Sequence, residues 1–499
     1  MSRQSARELI ELVLDAGSWT SWDTRPQRTK VVGEYAAELA QAAEKSGVDE
    51  SVLSGEGRLR GRRVAVVACE FAFLGGSIGS AAAERLVAAI ERATAEGIPL
   101  LAAPTSGGTR MQEGTGAFVQ MIRISAAVAR HKHAGLPYLV YLRHPTTGGV
   151  MASWGSLGHI TVAEPGALVG FLGPRVYEAL YGEAFPAGVQ TAENLYAHGI
   201  IDAVVPPEQI AEILDRALAI LQAEHGAGAP DPPEETIPDV DAWDAVTRSR
   251  RHDRPGIRRL LRYAATDVIP LNGTSEGESD PGLMIALARF GDSPCVFLGQ
   301  DRREQSSQPM GPGALREARR GMRLAVELGL PLMTVIDTPG AALSAQAEEG
   351  GLAGEIARCL ADLATLNAPT LCLMLGEGNG GGALALLPAD RVIAAQHAWL
   401  SPLPPEGASA IVYRDTEHAP DLARAQQVRA SDLRGLGVVD RIVAEHPDAA
   451  DEPEDFCRRV GAVLRFELSR LHGTDPATLR RERMAKFDRM GSDRPHPQG

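Results

Sequence analysis

Two well-separated stretches of this chain repeat one order of signals, and that repetition limits the possible folds more than any other feature. The first half reads GIPLLAAPTSGG, a helical stretch, GLPYLVYLRHPTTGG and then HITVAEPGALVGFLGP. The second reads GLPLMTVIDTPGA, a helical stretch, NAPTLCLMLGEGNGGG and then RVIAAQHAWLSPLPPEG. The spacing from Gly107 to Gly148 equals that from Gly340 to Gly381, so one offset of 233 fits both pairs. Agreement at two registers predicts a duplicated α/β domain. Strands such as VAVVAC and PYLVYL are apolar throughout, as suits parallel strands covered on both faces.

The length agrees with duplication, because 499 residues exceed what one hydrophobic core usually serves. Residues 1–223 are expected to form the first domain and 254–472 the second. Between them, 224–253 is rich in Pro, Gly and charge and reads as a linker, and 473–499 reads as a loosely held polar tail. A 44% hydrophobic share is too high for disorder. The net charge of −14, with no long basic run, argues against a nucleic-acid partner. No run approaches the roughly 20 apolar residues that span a bilayer, and the N-terminus lacks a signal-peptide pattern, so a cytoplasmic enzyme is expected. Cys69, Cys295, Cys359, Cys372 and Cys457 never stand in CxxC spacing, which argues against a disulfide framework and a zinc site.

Glycine is dense in GEGNGGGALAL over 376–386, and three chemistries use such patterns. Gly376, Gly378 and Gly381 form a GxGxxG, but the ribose-binding acid expected about 20 residues later is missing. Gly75, Ser77 and Gly79 form the GxSxG of a nucleophile elbow, with Asp202 and His418 as later acid and base. The third reading takes the small residues in pairs: Gly107 with Gly108, Gly148 with Gly149, Gly340 with Ala341, and Gly381 with Gly382. Each pair follows a strand and opens a helix, where successive N–H groups and the helix dipole can hold a developing oxyanion. One such donor is worth on the order of 3 kcal/mol in a dry site.

SGGTRMQEG at 106–114, PTTGGVMASWGSLG at 145–158, AEPGALVGFLGPRV at 163–176 and AHGIIDAVV at 197–205 resemble the β subunit of acetyl-CoA carboxylase carboxyltransferase. IDTPGA at 336–341, GEGNGGGALA at 376–385 and PPEGASAI at 404–411 resemble the α subunit. The chain is therefore similar to a β–α fusion of the biotin-dependent carboxyltransferase family. The resemblance implies two tandem crotonase-type ββα superhelical domains. It also implies transfer of a carboxyl group from carboxybiotin to acetyl-CoA or another short acyl-CoA, giving malonyl-CoA for fatty acid biosynthesis.

Under that resemblance, Gly107, Gly108, Gly148 and Gly149 serve the thioester enolate, and Gly340, Ala341, Gly381 and Gly382 serve the ureido oxygen. Arg110 and Arg175 lend charge to coenzyme A phosphates, and no metal is required. Biotin takes the substrate proton, so no side-chain base is needed. The chain has neither an ATP-grasp signature nor an AMKM-like biotinylation site, so biotin carboxylase and a biotin carboxyl carrier protein are expected as separate partners. A homodimer or higher homo-oligomer is implied. Alternatives from the same residues are a biotin-independent malonyl-thioester decarboxylase and a non-catalytic partner in a carboxylase complex. This sequence departs from the family in lacking a four-cysteine zinc ribbon, in continuing DTPGA with ALSAQAEEGG, and in stretching SPEG to SPLPPEG.

Overall fold

The apolar runs of the first half pair into a seven-stranded sheet, ordered Thr20–Ser21, Val52–Leu59, Arg62–Cys69, Leu100–Ala103, Tyr138–Leu142, Ile160–Ala163 and Ala203–Val204. The first three strands are antiparallel neighbours and the rest run parallel. Helices Ser80–Ala95 and Gln120–His133 make the crossovers. Their Leu86, Ile90, Ile124 and Val128 share one buried core with Val67, Leu100 and Val140 of the strands. The computed structural model describes residues 4–27, 32–223 and 228–490. Two compact units emerge, Met1–Leu221 with Ser275–Gly277, and Gln222–Thr274 with Glu278–Gly499.

The second unit repeats the plan. Asp267–Leu271, Leu283–Phe290 and Ser293–Gln300 are antiparallel, and Leu332–Thr338, Thr370–Asn379, Arg391–Ala395 and Arg441–Val443 continue in parallel. Leu100 faces Tyr138 in the first sheet and Leu332 faces Thr370 in the second. Both correspondences share an offset of 232, one fewer than the offset expected from the Gly-Gly dipeptides.

The expected linker and the expected loose tail both belong to the second unit. Residues 228–241 have no helix or strand and are held to it by pairs, Asp231 with Arg441 (2.7 Å), Glu235 with His446 (2.9 Å) and Asp239 with Arg429 (2.8 Å). Helix Ala242–Ser249 follows, capped by Asp241, so the expected linker is a strap and a helix rather than a spacer. The expected polar tail likewise contains helix Pro476–Arg489, anchored by buried Arg483, which donates to Asp390 and to the carbonyls of Leu363, Leu366 and Ala368. Guanidinium anchoring of this kind adds no apolar signal to a sequence. Residues 224–227 and 491–499 lie outside the described residues. No helix among the described residues is long and apolar enough to cross a membrane.

Candidate active site

Strand ends in each unit deliver two loops that meet backbone to backbone. In the first unit Gly108 has φ +110° and its N–H donates to Ser106 Oγ at 2.9 Å. The place of a Cβ on Gly108 is 3.4 Å from Gly148 Cα and 3.5 Å from Gly149 N, so the loops lie in contact there, and the positive φ of Gly108 is what calls for glycine. Thr147 fastens them, its N–H donating to Ser106 O at 2.9 Å.

The second unit has the same joinery. Gly340 has φ +126° and donates to Thr338 Oγ1 at 3.1 Å, and Asn379 Nδ2 donates to Pro339 O at 2.6 Å. Gln300 braces the far side, with Nε2 donating to Gly382 O (2.9 Å) and Oε1 accepting from Asp337 N–H (3.1 Å). Serine or threonine two residues before the left-handed glycine, and glycines 148 and 380 at φ +65° and +67°, align the units at 232.

That register changes which N–H groups are available. Gly107 donates to Gly75 O, Gly108 to Ser106 Oγ and Gly148 to Phe171 O, so three of the four expected donors of the first unit are already bonded. Among the described residues, Thr109, Gly149 and Val150 have N–H groups with no acceptor. Their counterparts are Ala341, Gly381 and Gly382. Gly340 is bonded to Thr338, while Ala341 has no acceptor among the described residues. Gly381 and Gly382 lie in the first turn of helix Gly380–Leu384, where N–H groups lack intrahelical partners and Asn379 provides no side-chain cap. A Cβ on Gly382 would lie 3.4 Å from Ala341 N, which places that turn against the facing loop. Val150 buries its side chain in the core, leaving its amide at the loop.

Carboxylates unforeseen in the sequence stand on the two strands that lead into the second cradle. Asp337 is buried, and burial pushes its carboxyl up to about 6. Its Oδ1 accepts from Glu377 N–H at 3.2 Å, and a Cβ on Gly376 would lie 2.5 Å from that oxygen. Glu377 pairs with Arg250 (2.8 Å), which also reaches Glu406 (2.5 Å). The first unit has Thr105 and Pro145 at the positions of Asp337 and Glu377, so its cradle lacks these charges.

A carboxyl transferase domain fits residues 1–483, nearly the whole chain. The chain belongs to the carboxyl transferase family. It is 60% identical over 496 residues to a protein of Mycobacterium tuberculosis (strain ATCC 25618 / H37Rv) named probable biotin-dependent acyl-coenzyme A carboxylase beta3 subunit, covering 99% of this chain and 100% of that one. It is 36% identical over 522 residues to the acetyl-coenzyme A carboxylase carboxyl transferase subunits beta/alpha of Salinispora arenicola (strain CNS-205), covering 99% and 92%. Among solved structures, transcarboxylase 12S superposes with a TM-score of 0.73 over 93% of this chain and 90% of that one, at 22% identity. That likeness establishes the carboxyl transferase fold of crotonase type.

Other candidates of this carboxyl transferase are settled by their surroundings. Arg110 is buried, donating to Glu50 (2.5 and 3.2 Å), Ser51 Oγ (3.1 Å) and Ser77 O (2.7 Å), and it has no donor left for a phosphate. It is a structural guanidinium. Arg175 falls in helix Pro174–Tyr181, and its side chain lies outside the described residues. The nucleophile elbow does not assemble: Ser77 Oγ accepts from Arg110 Nε, Asp202 accepts from Thr161 N–H, and His418 pairs with Asp415. The dinucleotide pattern dissolves too, because Gly376 and Gly378 are interior to strand Thr370–Asn379. Among the described residues no cluster of three or more His, Cys, Asp or Glu is placed to hold a metal ion.

Both units expose large apolar side chains at positions matched by the offset of 232: Met111 and Leu343, Phe171 and Leu403, Leu180 and Val412, Tyr181 and Tyr413. Patches of this kind mark surfaces built to be covered.

Glu317 supplies a pH test of the second cradle's scaffold. It accepts from Asp280 N–H at 2.6 Å, and burial, with Asp280 adding to it, pushes its carboxyl up to about 8. Asp280 in turn accepts from Gly311 N–H, next to Met310, which pairs with Ala341. A carboxyl whose folded pKa is raised contributes stability at acid pH that is lost as pH climbs from its unfolded value to its folded one. Glu317→Gln is therefore expected to be more stable than the parent at about pH 9, by on the order of 5 kcal/mol, and within about 1 kcal/mol of it at about pH 5. Thermal melts of both proteins across that range check this.

Proposed function

We propose that this chain transfers a carboxyl group from carboxybiotin, presented on a separate carrier protein, to the α-carbon of a short acyl-CoA, with acetyl-CoA as the preferred acceptor and malonyl-CoA as the product. One observation carries the reading: each unit has its own set of backbone N–H groups with no acceptor among the described residues. Two cradles suit a reaction that develops negative charge on two different oxygens. The name of the Mycobacterium relative supports biotin-dependent acyl-CoA carboxylation, and that of the Salinispora relative supports acetyl-CoA as the acceptor.

In the first unit, the amides of Thr109, Gly149 and Val150 hold the thioester oxygen while the α-proton leaves. In the second, Ala341, Gly381 and Gly382 hold the ureido oxygen, helped by the positive end of helix Gly380–Leu384. When bound, a carboxylated ureido group supplies the transferable carboxyl and a nitrogen able to take up the α-proton. The residues present fit such a group: Gly382 puts no side chain over the Ala341 amide, from which a Cβ would stand only 3.4 Å. Gly107, Gly108, Gly148 and Gly340 shape the cradles, and their own amides are spent on that task.

The carrier and the carboxylase that charges it are separate partners. The matched exposed apolar positions of the two units suit self-association, so a homodimer or higher assembly is the working form.

Substrate preference is tested with the carrier in its carboxylated form and a panel of acetyl-, propionyl- and longer acyl-CoA acceptors. The highest kcat/KM is expected for acetyl-CoA. A tenfold or greater preference for a longer chain, about 1.4 kcal/mol in transition-state binding, overturns that assignment.

A further inference from the structure

Strand Thr370–Asn379 runs into the glycine turn of the second unit, and the short strand Trp399–Ser401 lies parallel beside its end, with Trp399 opposite Glu377 and Ser401 opposite Asn379. Pro402 follows, and its carbonyl oxygen is 3.5 Å from the place a Cβ would take on Gly380, whose φ is +67°. The chain then bends, with Ser401 Oγ donating to Leu403 O at 2.6 Å, and enters helix Pro405–Val412. This is the stretched SPLPPEG segment. Pro402 thus rests on the residue that immediately precedes the Gly381 and Gly382 amides.

One side chain ties that segment to the strand. Arg250 Nε donates to Glu377 Oε1 at 2.8 Å, while Nη1 and Nη2 donate to Glu406 Oε1 (2.5 Å) and Oε2 (3.2 Å) in the first turn of the helix. The guanidinium carbon lies 5.5 Å from the centre of the Trp399 ring, and Trp399 Nε1 donates to Ser249 Oγ at 2.8 Å. Glu377 stands before the turn and Glu406 after Pro402, so the fork spans the two stretches that enclose Gly380. A planar guanidinium can serve two acids at once in fixed directions, which an ammonium cannot. In the first unit Pro145 stands at the position of Glu377, and helix Pro174–Tyr181 has no acid in its first turn. The clamp therefore belongs to the second cradle.

We propose that Arg250 is a positioning residue for that cradle: by tying Glu406 to Glu377 it holds Pro402 against Gly380 and keeps the Gly381 and Gly382 amides in place for the oxygen of a cyclic urea. The proposal rests on the biotin-dependent function and names the side chain on which its backbone donors depend.

The test uses the full chain with Glu406→Ala, which frees one end of the clamp at a partly exposed position. In hydrogen–deuterium exchange, peptides spanning 402–412 are expected to exchange about tenfold faster than in the parent, with those of the first unit unchanged. Free biotin, titrated by saturation-transfer NMR, is expected to bind about five- to tenfold more weakly, the worth of one hydrogen bond to a charged group. With malonyl-CoA and free biotin as substrates, kcat/KM for biotin falls by the same factor while KM for malonyl-CoA stays as it was. Arg250→Lys keeps a charge beside Glu377 without holding both acids, so it should show the same losses, and the double variant should be no worse than either single one. A merely structural ion pair would lower the melting temperature and leave the biotin values alone. Biotin affinity within about twofold of the parent in Glu406→Ala overturns the proposal, as does an equal rise in KM for both substrates or an additive loss in the double variant. Arg250→Lys decides the matter by the same measures if Glu406→Ala does not fold. If the parent binds biotin and both variants bind it equally well, the proposal alone falls. If the parent binds no biotin, the biotin-dependent function falls with it.

Discussion

Replacing Gly382 by valine is expected to lower the rate of carboxyl transfer about a hundredfold or more, the cost of losing one oxyanion donor in a dry site. The first added carbon would meet Met310 Cε at 2.8 Å and stand 3.4 Å from Ala341 N. Met310 ends in a flexible thioether that can turn aside, so the fold accommodates the change. The two valine methyls then stand over the Ala341 amide, and the oxyanion loses its place. Steady-state kinetics with saturating acyl-CoA should show the loss in kcat, with the melting temperature changed by only a few degrees. Activity within about threefold of the parent would show that this amide is not part of the catalytic cradle.

The largest loss of stability is expected from Arg254→Ala. Arg254 is buried and donates both Nη atoms to Glu445 at 2.7 Å and one to Leu375 O at 3.0 Å, beneath the strand that leads into the glycine turn. Burial alone would push the Glu445 carboxyl up, but the Arg254 guanidinium and the His397 ring outweigh it and hold the group well below the usual carboxylate range. Removing the guanidinium leaves that carboxylate buried without its counter-ion, at a cost of about 3–5 kcal/mol. Chemical denaturation should show the second unit unfolding at lower denaturant. A folded pKa below the unfolded one contributes stability above the ordinary carboxylate range that is lost as pH falls through it. The gap between parent and variant should therefore narrow in acid. An Arg254→Ala protein as stable as its parent at neutral pH would show that Glu445 does not depend on this guanidinium.

Much of the architecture was legible because the duplication wrote it twice. Continuous apolar runs became parallel strands, and the small-residue pairs marked the turns that meet. The register between the two halves differs from that expected by one residue. Matching Gly-Gly dipeptides set Gly107 against Gly340, whereas the hydroxyl braces Ser106-x-Gly108 and Thr338-x-Gly340 give the register of the sheets. That Ser/Thr-x-Gly spacing was present in the sequence and would have pointed to Thr109 and Val150, whose amides have no acceptor among the described residues.

Other features left no local trace. The partner of Arg110, Glu50, is 60 residues upstream, so nothing beside SGGTR indicates that the guanidinium turns inward. The acidic run at 231–239 resembles a solvated linker until Arg441, Arg429 and His446, all far later in the chain, are brought against it. Asp337 and Glu377 stood within the recognised motifs, but only the fold shows the Glu377 N–H donating to buried Asp337 on the strands leading into one cradle, with no such acids at the matching positions of the other.

Two cradles on one chain are assigned here to the exchange of a carboxyl group between a thioester and a urea. The most direct test incubates the protein with malonyl-CoA, with and without free biotin, and follows acetyl-CoA formation. Turnover that depends on biotin and saturates with it is the expected result. Equal turnover without biotin would mean that the thioester is decarboxylated directly, and that result would contradict the assignment of the second cradle.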